Sequence, residues 1–278
     1  MRERSPGAAG WELVEGEVPL GRAPLLFATG LVRHAFTTRR GGVSQGPFRW
    51  LNLGWHVGDD PAAVRENRRR LLQALDLAPE KLITAHQVHG TAVGVAEEGV
   101  VGRREGPAGE NFAGVDALIT AQPGLVLAVF VADCLPILLL DPRRKVVAAV
   151  HAGWRGTAGR AVVRAVEAMQ KHFAVEAGDC LAALGPAIGP CCYQVGDEVA
   201  AEFRRTYAGW RDFLRPAQGG GWRLDLWEAN RQALQEIGVV DSNLSLSQMC
   251  TACHPELFYS HRRDGGRTGR MAALIGLV

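Results

Sequence analysis

Short runs of apolar residues dominate the middle of the chain. Four of them follow one another closely, at residues 117–120, 125–131, 136–140 and 146–150. Because these runs do not alternate with polar positions, they are typical of strands that are buried on both faces. Further extended segments are predicted at 31–37 and 271–277. The pattern therefore predicts a strand core that helices cover.

Helical patterns flank these strands. Asp59, Asp60 and Pro61 form a helix start, with Asp at the N-cap and Pro in the first turn. In the helix that follows, apolar residues share one face and Arg68 to Arg70 point mostly outward. Further helices are predicted over 156–173, 196–207 and 225–237. A strand core that helices cover is the pattern of an α+β protein.

The motifs described below are not divided by a linker, and no internal repeat is visible. We therefore predict a single catalytic domain over 27–278, preceded by an N-terminal arm or leader strand over 1–26. Residues 97–114 contain five Gly, one Pro and a mixture of charges. Such a composition predicts a mobile surface loop.

Composition excludes several classes of protein. Hydrophobic residues make up 47% and charged residues 22% of the 278 residues, which is typical of a globular protein. The net charge is only +2, so no global electrostatic attraction to nucleic acid is expected. The longest apolar run stops at Asp133 and is too short to span a membrane. We expect a cytoplasmic protein with no membrane partner, whose six Cys are not disulfide-bonded.

Three apolar runs end at a residue that can bind a metal. These residues are His89, Cys134 and His151, each beside Gly, Pro or Asp. Two His and one Cys suit zinc and leave a fourth position open, as catalytic zinc sites do. Copper accepts the same set of ligands. Spacing alone also fits three ordinary buried residues, so both interpretations stay open at this point.

Two arginine-containing segments are candidates for anion binding. Arg155 lies between Gly153 and Gly156, where a strand passes into a helix whose free N–H groups suit an anion. A second cluster holds Arg262, Arg263 and Arg267. A tight strand-to-helix turn with an exposed Arg explains the first segment equally well. For the second segment, the alternative is a polar turn before the last strand.

The remaining cysteines form a separate group. Cys250, Cys253 and His254 match the attachment pattern of a c-type haem, which we reject because no export signal is visible. A structural zinc site made with Cys191 and Cys192 is a second interpretation. Adjacent cysteines lack the usual ligand spacing, however, and thiols that merely pack are the favoured interpretation.

Seven motifs in a fixed order resemble one known family. They are TTRRGGVS (37–44), NLG (52–54), HQVHG (86–90), DCLP (133–136), HAGWRG (151–156), GPAIGPCCYQVG (185–196) and YSHRRD (259–264). This arrangement is similar to the multicopper polyphenol oxidoreductase (laccase) or purine nucleoside phosphorylase family, which includes a peptidoglycan editing factor. The similarity extends from about residue 30 to the end of the chain.

The resemblance implies a fold, a metal and an activity. The implied fold has four layers in the order α/β/β/α with mixed sheets, and the implied zinc ligands are His89, Cys134 and His151. The implied reaction is phosphorolysis of purine nucleosides (adenosine, inosine and 5′-methylthioadenosine) by phosphate, with adenosine deamination as a second activity. Arg39, Arg155 and Arg263 would contact phosphate or substrate. Asp133 would orient the metal ligands.

Three alternatives differ in class. A copper-dependent polyphenol oxidase conflicts with a count of eight His and no His-x-His pair, although one copper in place of zinc is compatible. A metal-free hydrolase would use Cys134 as nucleophile and His151 as base to edit peptidoglycan precursors. A binding module without catalysis would not require an open coordination position. The sequence does not indicate an oligomeric state.

Overall fold

The computed structural model describes residues 10–97, 99–102, 106 and 109–278. The strands of this part of the chain are β1 (Glu12–Val14), β2 (Leu20–Arg22), β3 (Val32–Thr37), β4 (Leu82–Ile83), β5 (Ala85–His86), β6 (Val93–Val95), β7 (Phe112–Ala113), β8 (Ala117–Thr120), β9 (Val126–Val131), β10 (Leu135–Asp141), β11 (Val146–Ala152), β12 (Leu181–Leu184), β13 (Gln194–Val195), β14 (Leu214–Pro216), β15 (Trp222–Leu224), β16 (Leu244–Leu246) and β17 (Met271–Leu277). The α-helices are α1 (Pro24–Phe27), α2 (Pro61–Ala74), α3 (Trp154–Ala158), α4 (Ala161–Phe173), α5 (Asp197–Thr206) and α6 (Leu226–Glu236).

Two six-stranded sheets form the centre of the molecule. The first has the order β1-β2-β3-β17-β9-β4 and the second the order β16-β12-β10-β11-β8-β6. Both sheets are mixed, because most neighbours are antiparallel but β4 runs parallel to β9 and β12 parallel to β16. The chain passes from the first sheet to the second between β9 and β10, at residues 132–134.

The continuous apolar runs have two buried faces because each sheet is covered on both sides. In β11, Val147 and Ala149 pack between the two sheets, whereas Ala148 and Val150 pack toward the helices on the other side. All seven residues of β11 are buried. The prediction that these runs form doubly buried strands is therefore confirmed.

Helices form the two outer layers. Leu71 of α2 packs against Ala128 and Leu274 on the outer face of the first sheet. Helices α4 and α6 cover the outer face of the second sheet, and α4 buries Val162 and Val166 there. The result is the predicted single α+β domain with mixed sheets in four layers, α/β/β/α.

The predicted start of α2 is confirmed, whereas the single helix predicted over 156–173 is wrong. α2 begins at Pro61, and the Asp60 side chain accepts a hydrogen bond from the Ala62 N–H, as predicted. The helix predicted over 156–173 is instead two helices, α3 and α4. Arg160 separates them because its φ of +63° lies in the left-handed region, which no helix can continue through.

Two segments expected at the periphery take part in the fold. β1 and β2 belong to the first sheet, while residues 1–9 lie outside the described residues. The predicted mobile loop includes residues 98, 103–105 and 107–108, which also lie outside them. Asn111 is buried, and its side chain accepts a hydrogen bond from the Thr84 N–H. None of the helices in the described part of the chain is long and apolar enough to cross a bilayer.

Candidate metal and substrate site

Three side chains that can bind a metal meet at one end of the second sheet. β10 and β11 pair with Leu135 opposite Ala152, so Cys134 lies beside the end of β11, where His151 is found. His89 approaches from the loop that follows β5. The ligand atoms of His89, Cys134 and His151 all lie within 4.8 Å of one another. The structure thus brings together all three residues that were predicted as ligands.

One buried carboxylate, Asp116, holds two of these residues in place. Its Oδ1 atom lies 2.8 Å from His151 Nδ1 and accepts a hydrogen bond from the His89 backbone N–H at 2.9 Å. Its Oδ2 atom accepts from the Val88 and Gly90 N–H groups. Because the Nδ1 atom of His151 is engaged, its Nε2 atom is left for a metal.

Asp116 is a residue that the sequence interpretation missed, and Asp133 has a different position from the expected one. The Asp133 carboxylate accepts hydrogen bonds from the Thr251 hydroxyl and the Arg262 N–H, so it joins loops rather than orienting the metal ligands. The signal for Asp116 was its place directly before the apolar run 117–120. The partner of Asp116, His151, lies 35 positions away in the sequence, so the contact is visible only in the folded structure.

The site stabilises a thiolate even without an ion. Burial would raise the pKa of Cys134, but the charge and hydrogen bond of His151 and the hydrogen bond of His89 lower it to about 6. Burial would likewise lower the pKa of His151, but the Cys134 and Asp116 partners raise it to about 9. At neutral pH the metal-free pair is therefore a thiolate beside an imidazolium.

The three residues fit a zinc ion in chemistry and in space. Two imidazoles and one thiolate are a donor set that zinc accepts, and copper accepts it too. Gly153 leaves the room that is needed, since a Cβ atom there would lie 2.8 Å from Cys134 Sγ and 3.2 Å from His89 Cδ2. A larger residue at this position would fill the space between the ligands.

The three side chains open into a cavity of about 450 Å³, a size that accommodates a small molecule. Its lining combines aromatic rings with positive charge. The aromatic residues are Trp55, Phe130, Trp154 and Tyr193, and the arginines are Arg68, Arg155, Arg262 and Arg270. A flat, partly apolar molecule that is bound together with an anion would match both features.

Of the three arginines expected to bind substrate, Arg155 lines the cavity. Within the described residues no hydrogen bond to protein engages its guanidinium, which lies 4.4 Å from the centre of the Trp154 ring. Arg39 lies outside the cavity lining and donates to the carbonyls of Arg49 and Pro255. Arg263 also lies outside it, where it donates to the Thr251 carbonyl and pairs with Asp264.

Two cavity residues were not identified from the sequence. Arg68, expected to point outward from α2, instead places its guanidinium 4.9 Å from the centre of the Trp55 ring and 4.7 Å from the centre of the Phe130 ring. Arg270 borders the same cavity just before β17. Both were missed because the sequence of a polar segment does not indicate the direction in which an arginine side chain points.

This fold and this site define a family of enzymes. The chain belongs to the multi-copper polyphenol oxidoreductase laccase family, whose family model matches residues 33–278. The predicted family is thus confirmed.

Several relatives carry a more specific name. "Purine nucleoside phosphorylase YlmD" of Geobacillus stearothermophilus is 43% identical over 249 residues, which are 86% of this chain and 88% of the relative. "Purine nucleoside phosphorylase" of Deinococcus radiodurans is 45% identical over 260 residues, 94% of this chain and 93% of the relative.

Solved structures of similar proteins share the whole fold. The crystal structure of YlmD from Geobacillus stearothermophilus is 40% identical with a TM-score of 0.90, and the match covers 97% of this chain and 99% of that one. A Bacillus licheniformis hypothetical protein, YfiH, is 33% identical with a TM-score of 0.89 and coverage of 96% and 99%.

Proposed function

We propose that the protein is a zinc-dependent purine nucleoside phosphorylase that cleaves adenosine, inosine and 5′-methylthioadenosine, and that it deaminates adenosine at the same site. The observation that carries this proposal is the His89, Cys134 and His151 cluster at the floor of a cavity with aromatic and cationic walls. The names of the relatives from Geobacillus stearothermophilus and Deinococcus radiodurans support the choice of reaction.

In phosphorolysis, an oxygen of phosphate forms a bond to C1′ of the sugar while the bond from C1′ to the purine nitrogen breaks. The base leaves with the electron pair and takes up a proton. Positioning the phosphate beside C1′ is the main demand on the protein. The guanidinium of Arg155, which no hydrogen bond engages within the described residues, is suited to bind two phosphate oxygens, and the charge of Arg262 lies on the same cavity.

The remaining groups have separate tasks. The rings of Trp154 and Tyr193 offer flat surfaces on which a purine can stack. Arg39 and Arg263, whose donors are used by backbone carbonyls, hold the surrounding loops in place. A zinc ion held by His89, Cys134 and His151 would supply Lewis-acid chemistry at its open position, which deamination by water requires.

A product assay on purified, metal-quantified protein tests this proposal. Adenosine is supplied with and without phosphate, and again after the metal has been removed by a chelator. We expect adenine and ribose 1-phosphate only with phosphate. Without phosphate we expect inosine, which phosphate allows the enzyme to cleave further to hypoxanthine. All of these products should be lost on chelation. Unchanged adenosine in the presence of a full complement of zinc would contradict the proposal.

A metal-free hydrolase is the second candidate, and one observation favours it. Asp116, His151 and Cys134 form a line in which a carboxylate holds an imidazole beside a thiolate, the order found in cysteine hydrolases. Such an enzyme would act on an amide of a peptidoglycan precursor. It would keep its activity after chelation, whereas the zinc-dependent phosphorylase would lose it. Alkylation of Cys134 would inactivate the hydrolase.

Copper in place of zinc is the third candidate, and the description of the family favours it. Among the described residues, two groups of side chains can hold a metal, the site above and a cluster of four cysteines. Oxidation of a phenol that follows the copper content of the protein would support this assignment. Activity that follows zinc alone would exclude it.

A further inference from the structure

Four cysteines from two distant parts of the sequence meet beside the wall of the cavity. Cys191 and Cys192 lie in the turn after β12, and Cys250 and Cys253 lie in the turn after β16. β12 and β16 are parallel neighbours, so both turns leave the second sheet at the same end. A bridge between Ala187 and Cys250 continues this pairing into the turns.

The four sulfur atoms have the spacing of a tetrahedral thiolate site. All of them lie within 4.8 Å of one another. Cys253 Sγ lies 3.6 Å from Cys191 Sγ and 3.4 Å from Cys192 Sγ. In a zinc site with Zn–S bonds of about 2.3 Å, neighbouring sulfurs are about 3.8 Å apart. The observed distances require only small side-chain movements to reach this geometry.

Packing alone does not explain these thiols. Cysteines that serve as small apolar residues are usually buried, yet Cys191 and Cys253 are exposed. Cys250 is buried, and its Sγ accepts a hydrogen bond from the Gly189 N–H at 3.2 Å. Such N–H donors support a sulfur that carries negative charge. The cluster therefore contains one buried sulfur that accepts a backbone hydrogen bond and three sulfurs on less buried residues.

The cluster also lies next to the candidate active site without belonging to it. Ile188 and Tyr193, on either side of the cysteine pair, line the cavity. Thr251 lies between the other two cysteines. Its hydroxyl donates a hydrogen bond to the carboxylate of Asp133, the neighbour of Cys134. An ion bound by the four sulfurs would connect the two turns that form this part of the cavity wall.

We propose that Cys191, Cys192, Cys250 and Cys253 bind one structural zinc ion, separate from the ion of the candidate active site. Four thiolates saturate a tetrahedral zinc and leave no open position, so this ion takes no part in turnover. Its effect is to fix the turn 189–193 against the turn 250–253. The proposal stands apart from the proposed function, because it concerns different ligands and is tested by a different measurement.

The test counts zinc in a protein that lacks the other site. The His89→Ala/Cys134→Ala double variant removes two of the three ligands there. It is purified under reducing conditions, loaded with Zn²⁺, desalted and analysed for metal. We expect one zinc per chain in this variant, and loss of at least nine-tenths of it when Cys253→Ser is added. Cys180→Ala, which removes a buried cysteine outside the cluster, serves as the matched control and keeps the zinc.

A second measurement identifies the ligands. Cobalt substituted for zinc in the double variant is expected to show the strong thiolate-to-metal absorption of a four-sulfur site, weakened by Cys191→Ser as well as by Cys253→Ser. A double variant that retains no zinc and in which Cys191, Cys192 and Cys253 all react at once with a thiol reagent would overturn the proposal. So would a disulfide between two of the four cysteines in the reduced, zinc-loaded protein. Neither result would affect the assay for phosphorolysis.

Discussion

At the residue scale, the buried carboxylate of Asp116 controls the geometry of the site. It binds the His151 ring and the backbone of residues 88–90 at the same time. Burial would raise its pKa, but the hydrogen bond and charge of His151 and the Gly90 and Val88 N–H groups lower it. Asp116 therefore stays ionised and increases the basicity of the imidazole that faces the metal position.

Replacing Asp116 by Asn should weaken zinc binding without removing a ligand. The variant keeps one carbonyl oxygen but loses the charge that holds His151, and we expect the affinity to fall about 10- to 100-fold. Competition with a chelator of known affinity measures this change. Asp141→Asn is the matched control, since Asp141 is equally buried but lies at the far end of β10. An unchanged affinity in Asp116→Asn would show that the carboxylate does not orient the site.

Arg155 and Arg263 should respond differently to the same substitution. Arg155→Lys would remove the two-point contact to phosphate that we propose, so we expect kcat/KM for phosphate to fall about tenfold or more with little change in stability. Arg263→Lys removes hydrogen bonds to the Thr251 and Phe258 carbonyls and should lower the free energy of unfolding by about 1–3 kcal/mol. Phosphate kinetics and urea unfolding of both variants separate these effects. The reverse pattern would show that the two arginines have been assigned the wrong tasks.

At the element scale, the sequence predicted those features that depend on neighbouring residues, such as a helix start or a buried strand. The N-cap of α2 follows from Asp60 and Pro61, and the buried strands follow from uninterrupted apolar runs. The break between α3 and α4 was not predicted, because a left-handed Arg160 has no signature in a sequence that otherwise favours helix. The partner of Asp116 was not predictable either, since the hydrogen bond to His151 joins positions 35 apart.

The contact between β3 and α1 makes the stability depend on pH. His34 Nε2 accepts a hydrogen bond from the Ala23 N–H, which a protonated ring cannot do. Burial, together with the charge of Arg22, lowers the pKa of His34 from 6.5 to about 4. The unfolded chain then binds more protons than the folded one between these values. The stabilisation is complete above pH 6.5 and is lost as the pH falls toward 4.

His34→Gln should remove this dependence, because Gln can accept the same hydrogen bond and does not titrate. Between pH 7.5 and pH 5, we expect the wild-type protein to lose about 2 kcal/mol more than the variant. Denaturant unfolding at the two pH values measures the difference. His172→Gln, at an exposed position of α4, controls for the loss of one imidazole. Equal losses in the His34 variant and the wild-type protein would contradict the argument.

At the scale of the whole molecule, the site depends on how the two sheets pack. Cys134 lies directly after the passage from β9 in the first sheet to β10 in the second. The Asp133 backbone turns there with a φ of +84°. The pairing of β10 with β11 places Cys134 beside His151, and Asp116 holds the loop that carries His89. The sequence could not reveal this arrangement, because apolar runs do not show which strands are neighbours in a sheet.

Leu138→Ala tests whether this core and the site form one cooperative unit. Leu138 is fully buried between the sheets, so the substitution leaves a cavity that should cost about 2–5 kcal/mol. If the four layers unfold together, the variant shows one transition with an unchanged denaturant dependence, and the zinc proposed for the His89, Cys134 and His151 site is released at the same midpoint. Val240→Ala, at a position 48% exposed, should change the stability by less than about 0.5 kcal/mol. Release of zinc well before the loss of secondary structure would mean that the site opens independently, and that the loops around His89, rather than the packing of the sheets, determine its geometry.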